Sequence, residues 1–169
     1  MAELSRSCAS LRLFGDDLDP DEITRLLSCL PSSSQKRGEI IRHRIGGGEH
    51  VAPYGKWLLN EDECKPADLD GQIQRLLGRV SGDASVWQDL VSRFRVDLFC
   101  GLFVKEWNEG VSLSPAVLAA LGSRGILIDF DIYKDSEAEQ GVAPQSATRS
   151  ESNSEGGDKP QPESEERSR

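Results

Sequence analysis

Hydrophobic and polar positions recur along the chain with two different periods, and the changes of period mark its elements. In Cys8–Phe14, Ala9, Leu11 and Leu13 fall on one side and Ser10, Arg12 and Phe14 on the other, the period-two pattern of a strand. After GDDLD, Ile23, Leu26, Leu27 and Leu30 recur at i, i+3, i+4 and i+7, which predicts an amphipathic helix stopped by Pro31. PSSSQKRG reads as a loop. EIIRHRI and HVAPYGKWLLN flank Gly46, Gly47 and Gly48, the pattern of a hairpin; Pro53 makes the second arm an edge strand or delays it to Tyr54. Leu69, Ile73, Leu76, Leu77 and Val80 predict a second helix, and Val86, Trp87, Leu90, Val91 and Phe94 a short third one after Gly82.

The strongest strand signal is RVDLFCGLFVKEW. There Val96, Leu98, Cys100, Leu102 and Val104 alternate with Asp97, Phe99, Gly101 and Phe103. VSLSPAVLAALGSRG predicts a last amphipathic helix with a glycine C-cap. ILIDFDIY closes the pattern, with Ile126, Ile128, Phe130 and Ile132 opposite Leu127, Asp129, Asp131 and Tyr133. Two stretches correspond. A strand, a short gap and LDPDEITRLL near the start match a strand, a short gap and LSPAVLAAL near the end, and each is followed by another strand. Two weakly similar β-loop-α-β units around a helical insert predict an α+β fold of the ferredoxin-like, split βαβ kind, with a mainly antiparallel sheet.

Composition divides the chain. Between Asp135 and Arg169 there is no Leu, Ile, Phe, Trp or Tyr, so this stretch cannot bury enough apolar surface to offset its ordering entropy. The expected organisation is an N-terminal lead over 1–8, a single α+β domain over 9–134 and a disordered acidic tail over 135–169. Net charge is −9, and the tail alone holds nine acids against four bases. Neither part has the basic footprint that phosphate contacts require, which argues against nucleic acid. An acidic surface suits a basic protein partner, although mild acidity also simply serves solubility. Cys8, Cys29, Cys64 and Cys100 form no C-x-x-C pair, which leaves zinc and redox motifs unsupported. The N-terminal segment lacks the apolar core of a signal peptide and no stretch approaches a membrane span, so a cytoplasmic location with reduced thiols is expected. Cys29 and Cys100, among apolar residues, read as small core side chains, and Trp57, Trp87 and Trp107 as core or core-margin residues.

Five acids crowd into GDDLDPDE, and the internal correspondence explains most of them. Asp19-Pro20 and Ser114-Pro115 occupy equivalent places: a side-chain oxygen caps the helix and proline takes the first helical position, where no donor is needed. Asp21 and Glu22 complement the helix dipole in the first turn, and Glu22 fits a capping box. Asp17, Asp19 and Asp21 have the 1-3-5 spacing of an EF-hand, but Glu22 stands where glycine is needed and Ser28 where the bidentate glutamate belongs, so no metal is expected. Asp16 and Asp17 are left as solvated loop acids or a recognition patch. GGGEHVAPYGKW fails the spacing of a phosphate loop. His43 and His50, with Glu49, lack a third strong ligand. No motif of nucleophilic or metallohydrolase catalysis is present, and no cofactor is expected. Asp129 and Asp131 share a strand face that is either simply solvated or fit for acid–base work.

If the pleats are in phase, Arg12, Phe14, Phe99, Phe103, Leu127, Asp129, Asp131 and Tyr133 lie together on the sheet face away from the helices. That mixture is typical of an interface, unless the helical segment 68–94 covers it. The quoted segments LRLFGDDLDPDEITRLLSCLP, KRGE, YGKWLL, LDGQIQRLL and LSPAVLAALGSRGILIDFDIY resemble the DUF4279 family of small bacterial proteins over about residues 9–134. The G-D-x-L-D-P-x-x-I-T signature and the closing D-x-Y carry the resemblance. It implies a shared fold unit and no activity. The expectation for function is a non-enzymatic domain that binds another protein, such as an immunity-type inhibitor, through Arg12, Phe14, Asp16, Asp17, Phe99, Phe103, Asp129, Asp131 and Tyr133. A small enzyme using Asp129 or Asp131 as base with Arg12 or His43, and a ligand-sensing module, are the alternatives.

Overall fold

The first alternating run folds as a strand longer than its apolar residues require. In the computed structural model, which describes residues 2–42 and 47–135, β2 spans Arg6–Gly15 and follows the two-residue β1 (Ala2–Glu3). The chain continues through α1 (Pro20–Leu27), β3 (Ser33–Gln35), β4 (Ile40–Arg42), β5 (Glu49–Val51), β6 (Gly55–Asn60), α2 (Leu69–Arg79) and α3 (Ala84–Arg93). It ends with β7 (Arg95–Val104), β8 (Glu109–Gly110), α4 (Pro115–Arg124) and β9 (Leu127–Lys134). This is an α+β fold. A five-stranded sheet has the order β3-β6-β2-β7-β9, antiparallel throughout except that β7 and β9 run parallel. β4 pairs with β5 in a separate hairpin, and β1 pairs with β8. Among the described residues no helix is long and apolar enough to cross a membrane.

One face of the sheet forms the core. Ala9, Leu11 and Leu13 of β2, Trp57 and Leu59 of β6, and Leu98, Cys100 and Leu102 of β7 are buried in one cluster with Ile23 and Leu27 of α1, Ile73 and Leu76 of α2, Trp87 and Leu90 of α3, and Val117 and Leu121 of α4. Each fully buried Leu or Ile contributes about 1.5–3 kcal/mol relative to exposure. The two buried indoles have their N–H groups satisfied: Trp57 Nε1 donates to Thr24 Oγ1 at 3.2 Å and Trp87 Nε1 to the Ser81 carbonyl at 2.7 Å. The segment 68–94 therefore packs on the same side as α1 and α4 and leaves the other face uncovered by helix.

Helix starts follow the sequence reading. Asp19 caps α1, its side chain accepting from the Asp21 N–H, and Ser114 caps α4, accepting from the Val117 N–H, with proline first in both helices. The two stretches diverge afterwards. α4 leads into β9 beside and parallel to β7, whereas β3 lies beyond β6, which separates it from β2. Pro53 divides the expected second hairpin arm into β5 before it and β6 after it.

Some expectations need correction. Trp107 is 94% exposed, not core. Leu30 is 77% exposed because α1 ends at Leu27, where Ser28 turns into the left-handed region. Glu22 does not close a capping box; its carboxylate takes two bonds from Arg93, at 2.9 and 3.0 Å. His43 and the expected tail from 136 onwards lie outside the described residues. Asp135, the first residue of the low-complexity stretch, is buried: its N–H donates to the Val104 carbonyl at 2.7 Å and its carboxylate accepts from the Ser5 hydroxyl.

Candidate functional site

Register decides what meets on the open face. β2 and β7 are antiparallel with Arg12 opposite Asp97, Ser10 opposite Phe99 and Arg6 opposite Phe103, so even positions of β2 share a face with odd positions of β7. The parallel pairing sets Asp129 beside Phe99 and Tyr133 beside Phe103. Two polar-aromatic clusters result, separated by the pair Cys8–Gly101. Glycine suits this place, since a Cβ at 101 would come within 2.6 Å of Cys8 Sγ and force that thiol to turn away.

The first cluster is organised by Asp97, whose side chain is wholly buried. Its Oδ1 accepts from Arg12 Nε at 2.5 Å and its Oδ2 from Arg95 Nε at 3.0 Å. Arg12 Nη2 reaches Asp129 Oδ2 at 3.1 Å, and its guanidinium lies 4.7 Å from the Phe99 ring centre and 5.6 Å from that of Phe14. Phe14 meets Tyr54 edge to face at 5.8 Å. Arg12, Phe14, Tyr54 and Arg95 line a shallow cleft of about 350 Å³.

In the second cluster the Arg6 guanidinium lies 3.9 Å from the centre of the Phe103 ring, which stacks on Tyr133 at 5.2 Å. The Tyr133 hydroxyl donates to Asp131, and this bond pushes the phenol pKa up, since losing the proton would set two anions together. Arg6 also pairs with Glu63 at 3.0 Å and with the buried Asp135 at 3.6 Å. Around the corner of the sheet, both oxygens of Glu109 accept loop N–H groups, from Lys105 at 3.1 Å and Glu106 at 3.3 Å. The loop so held presents Trp107.

The structure thus gathers Arg12, Phe14, Phe99, Phe103, Asp129, Asp131 and Tyr133 on one face. Asp16 and Asp17 lie apart from them, in the exposed turn between β2 and α1, where Asp16 pairs with Arg37 at 3.1 Å. Asp19 meets Lys36 Nζ at 3.0 Å; that ammonium first, and the Asp21 N–H second, hold its carboxyl below the usual range. Among the described residues no group of three or more His, Cys, Asp or Glu is arranged to hold a metal ion. All four cysteines are free, and burial pushes the Cys100 thiol up to about 12, which makes it inert at neutral pH.

Sequence reasoning missed Arg95, Tyr54 and Arg6 as members of this surface, and treated Asp97 only as a pleat position. Arg6 and Arg95 were legible from the pleat alone, standing two residues outside the positions read as alternating. Tyr54 had no such signal, because it lies in the bend before β6.

Over residues 3–135 the chain matches a family model described as Domain of unknown function (DUF4279). No curated protein and no solved structure matches it. The match covers the whole described sheet and its helices, so the chain belongs to the DUF4279 family, a group of small bacterial proteins of unknown function.

Proposed function

We propose that this is a non-enzymatic, cytoplasmic protein-binding domain that covers a basic partner, in the manner of an immunity-type inhibitor. The observation that carries the reading is the outer edge of β9. This eight-residue strand ends the sheet, and its outward backbone has no strand partner among the described residues. Leu127 (56%), Phe130 (41%), Ile132 (64%) and Tyr133 (41%) are all exposed beside it. A long edge with apolar side chains is a template for an incoming strand: backbone bonds supply affinity and alternate side chains supply choice. Asp129 and Asp131 on the same strand favour a segment carrying Lys or Arg, and the exposed Trp107 is the type of residue that anchors interfaces. The four free thiols fit a reducing compartment.

We read the scaffold as ferredoxin-like. In this reading β2–α1–β3 is one split unit and β6–α2/α3–β7 takes the place of the β7–α4–β9 stretch that the sequence pattern paired with it, in the order β3-β6-β2-β7, with α4–β9 extending the sheet by one strand. That extension supplies the binding edge. An enzyme built on Asp129 or Asp131 is supported less well, because Asp129 accepts from Arg12 and Asp131 from Tyr133 in a shallow setting.

The test is a pull-down from native lysate followed by titration of the recovered partner against wild type and Ile132→Lys. The exposed site predicts an unchanged melting temperature and at least about tenfold weaker binding for the variant. Recovery of no stoichiometric partner, or equal binding by the variant, sinks the proposal.

A further inference from the structure

Arg12 and Arg95 are held unusually for two arginines on a sheet face. Antiparallel register sets Arg12 opposite Asp97 and Phe14 opposite Arg95, so the four side chains form a square on adjacent strands. Asp97, one corner of this square, is buried and binds both guanidiniums through their Nε atoms, one on each carboxylate oxygen. This leaves the Nη ends as the outward donors. Arg12 Nη2 is used by Asp129, whereas Arg12 Nη1 and both Nη atoms of Arg95 have no acceptor among the described residues. One buried carboxylate therefore fixes two cations and leaves three donor nitrogens unused. Phe99 and Phe14 beneath Arg12 restrict it further.

The same cleft also has aromatic walls, Phe14 beside the arginines and Tyr54 against Phe14. Phe14 and Tyr54 stand at 88° to each other, and the bend that carries Tyr54 is tied down by Gln35 Nε2, which donates to the Tyr54 carbonyl at 3.1 Å. The cleft volume of about 350 Å³ lies at the small end of ligand sites. Its two guanidiniums are matched by the two carboxylates that hold them, Asp97 and Asp129, so recognition falls to the unused Nη donors and not to an excess of charge. A carboxylate can take parallel N–H bonds from a guanidinium and brings one negative charge to this balanced cluster, whereas a phosphate dianion brings two.

From this geometry we infer that the cleft between Arg12, Arg95, Phe14 and Tyr54 is a binding site for a small carboxylate on a flat apolar body, such as an aromatic acid. The carboxylate meets the Nη donors and the flat body lies against Phe14 and Tyr54. Asp97 is a positioning residue that aims the two cations. The cleft touches β9 only through the Arg12–Asp129 pair, and its test at Arg95 and Tyr54 uses residues outside the β9 edge.

The probe is sodium benzoate, titrated into the full chain at constant ionic strength while backbone and Arg Nε–H resonances are followed by NMR. Saturable shifts at Phe14, Tyr54 and Arg95 are expected, with a dissociation constant in the millimolar range that suits a fragment of this size. Arg95→Gln, at a side chain 67% exposed, and Tyr54→Ala should each keep the remaining spectrum and weaken binding by about fivefold or more. Shifts that never saturate, equal shifts with benzyl alcohol, equal or tighter binding of inorganic phosphate, or unchanged affinity in Arg95→Gln would each overturn the assignment.

Discussion

Asp97 is the residue whose removal would be felt most widely. Its carboxylate is buried and its two partners are unequally exposed, Arg12 at 22% and Arg95 at 67% of side-chain area. Losing the shared acceptor leaves Arg12, largely covered beside the Phe99 ring, with Asp129 as its remaining carboxylate, whereas Arg95 turns freely into water. Asp97→Ala should therefore cost about 2–3 kcal/mol in urea denaturation, somewhat less than for a wholly buried pair. Arg95→Ala should cost under about 1 kcal/mol, as for exposed ion pairs. Equal losses for the two variants would contradict this ordering. The pleat made Arg12 and Asp129 legible as neighbours. It gave no sign that Asp97 is buried, because a lone acid on an open strand face is ordinarily solvated. Its burial depends on the pairing of β2 with β7, some 85 residues apart in the chain, and no local pattern encodes that pairing.

Helices and strands were legible in proportion to how much of their signal is local. α1, α2, α3 and α4 carry their own caps and apolar stripes, and β2, β7 and β9 their own alternation. β3 has neither: Ser33–Gln35 contains no apolar residue and exists as a strand only because β6 offers an edge. Helix ends show the same division. α4 closes on Gly125 at φ 67°, a glycine readable from sequence, while α1 closes on Ser28 at φ 53°, where a side chain adopts the left-handed region at a cost. Leu30 continued the helical stripe on paper, yet the turn at Ser28 had already ended the helix. Ser28→Gly should stabilise the protein by about 0.5–1 kcal/mol, read as a raised denaturation midpoint. A destabilised variant would mean that the serine side chain supplies a contact outweighing its strained backbone.

The molecule is joined across its helical layer by Asp70. This residue lies in the first turn of α2, yet its Oδ1 accepts from the N–H of Ser114, the cap of α4, at 2.7 Å. That N–H, followed by the amide of Gln74, holds the Asp70 carboxyl below its ordinary 3.8. A lowered folded-state pKa adds stability that is complete above the ordinary value and disappears as pH falls through the lowered one. Asp70→Asn should accordingly melt below wild type at neutral pH, with the gap closing as pH falls below the ordinary carboxylate range. A gap that persists at low pH would mean that shape and not charge is what Asp70 contributes. Such a link was invisible beforehand, since each partner has a sufficient local role at its own helix start.

Ser5 bonds to Asp135 and Arg6 approaches it, so the incoming and outgoing backbones cross at one corner of the fold. A passenger joined directly before Ser5 or directly after Asp135 would therefore start from that single pole, like two cords tied at one knot. The turn leading into α1 lies at the other end of β2, away from both joins.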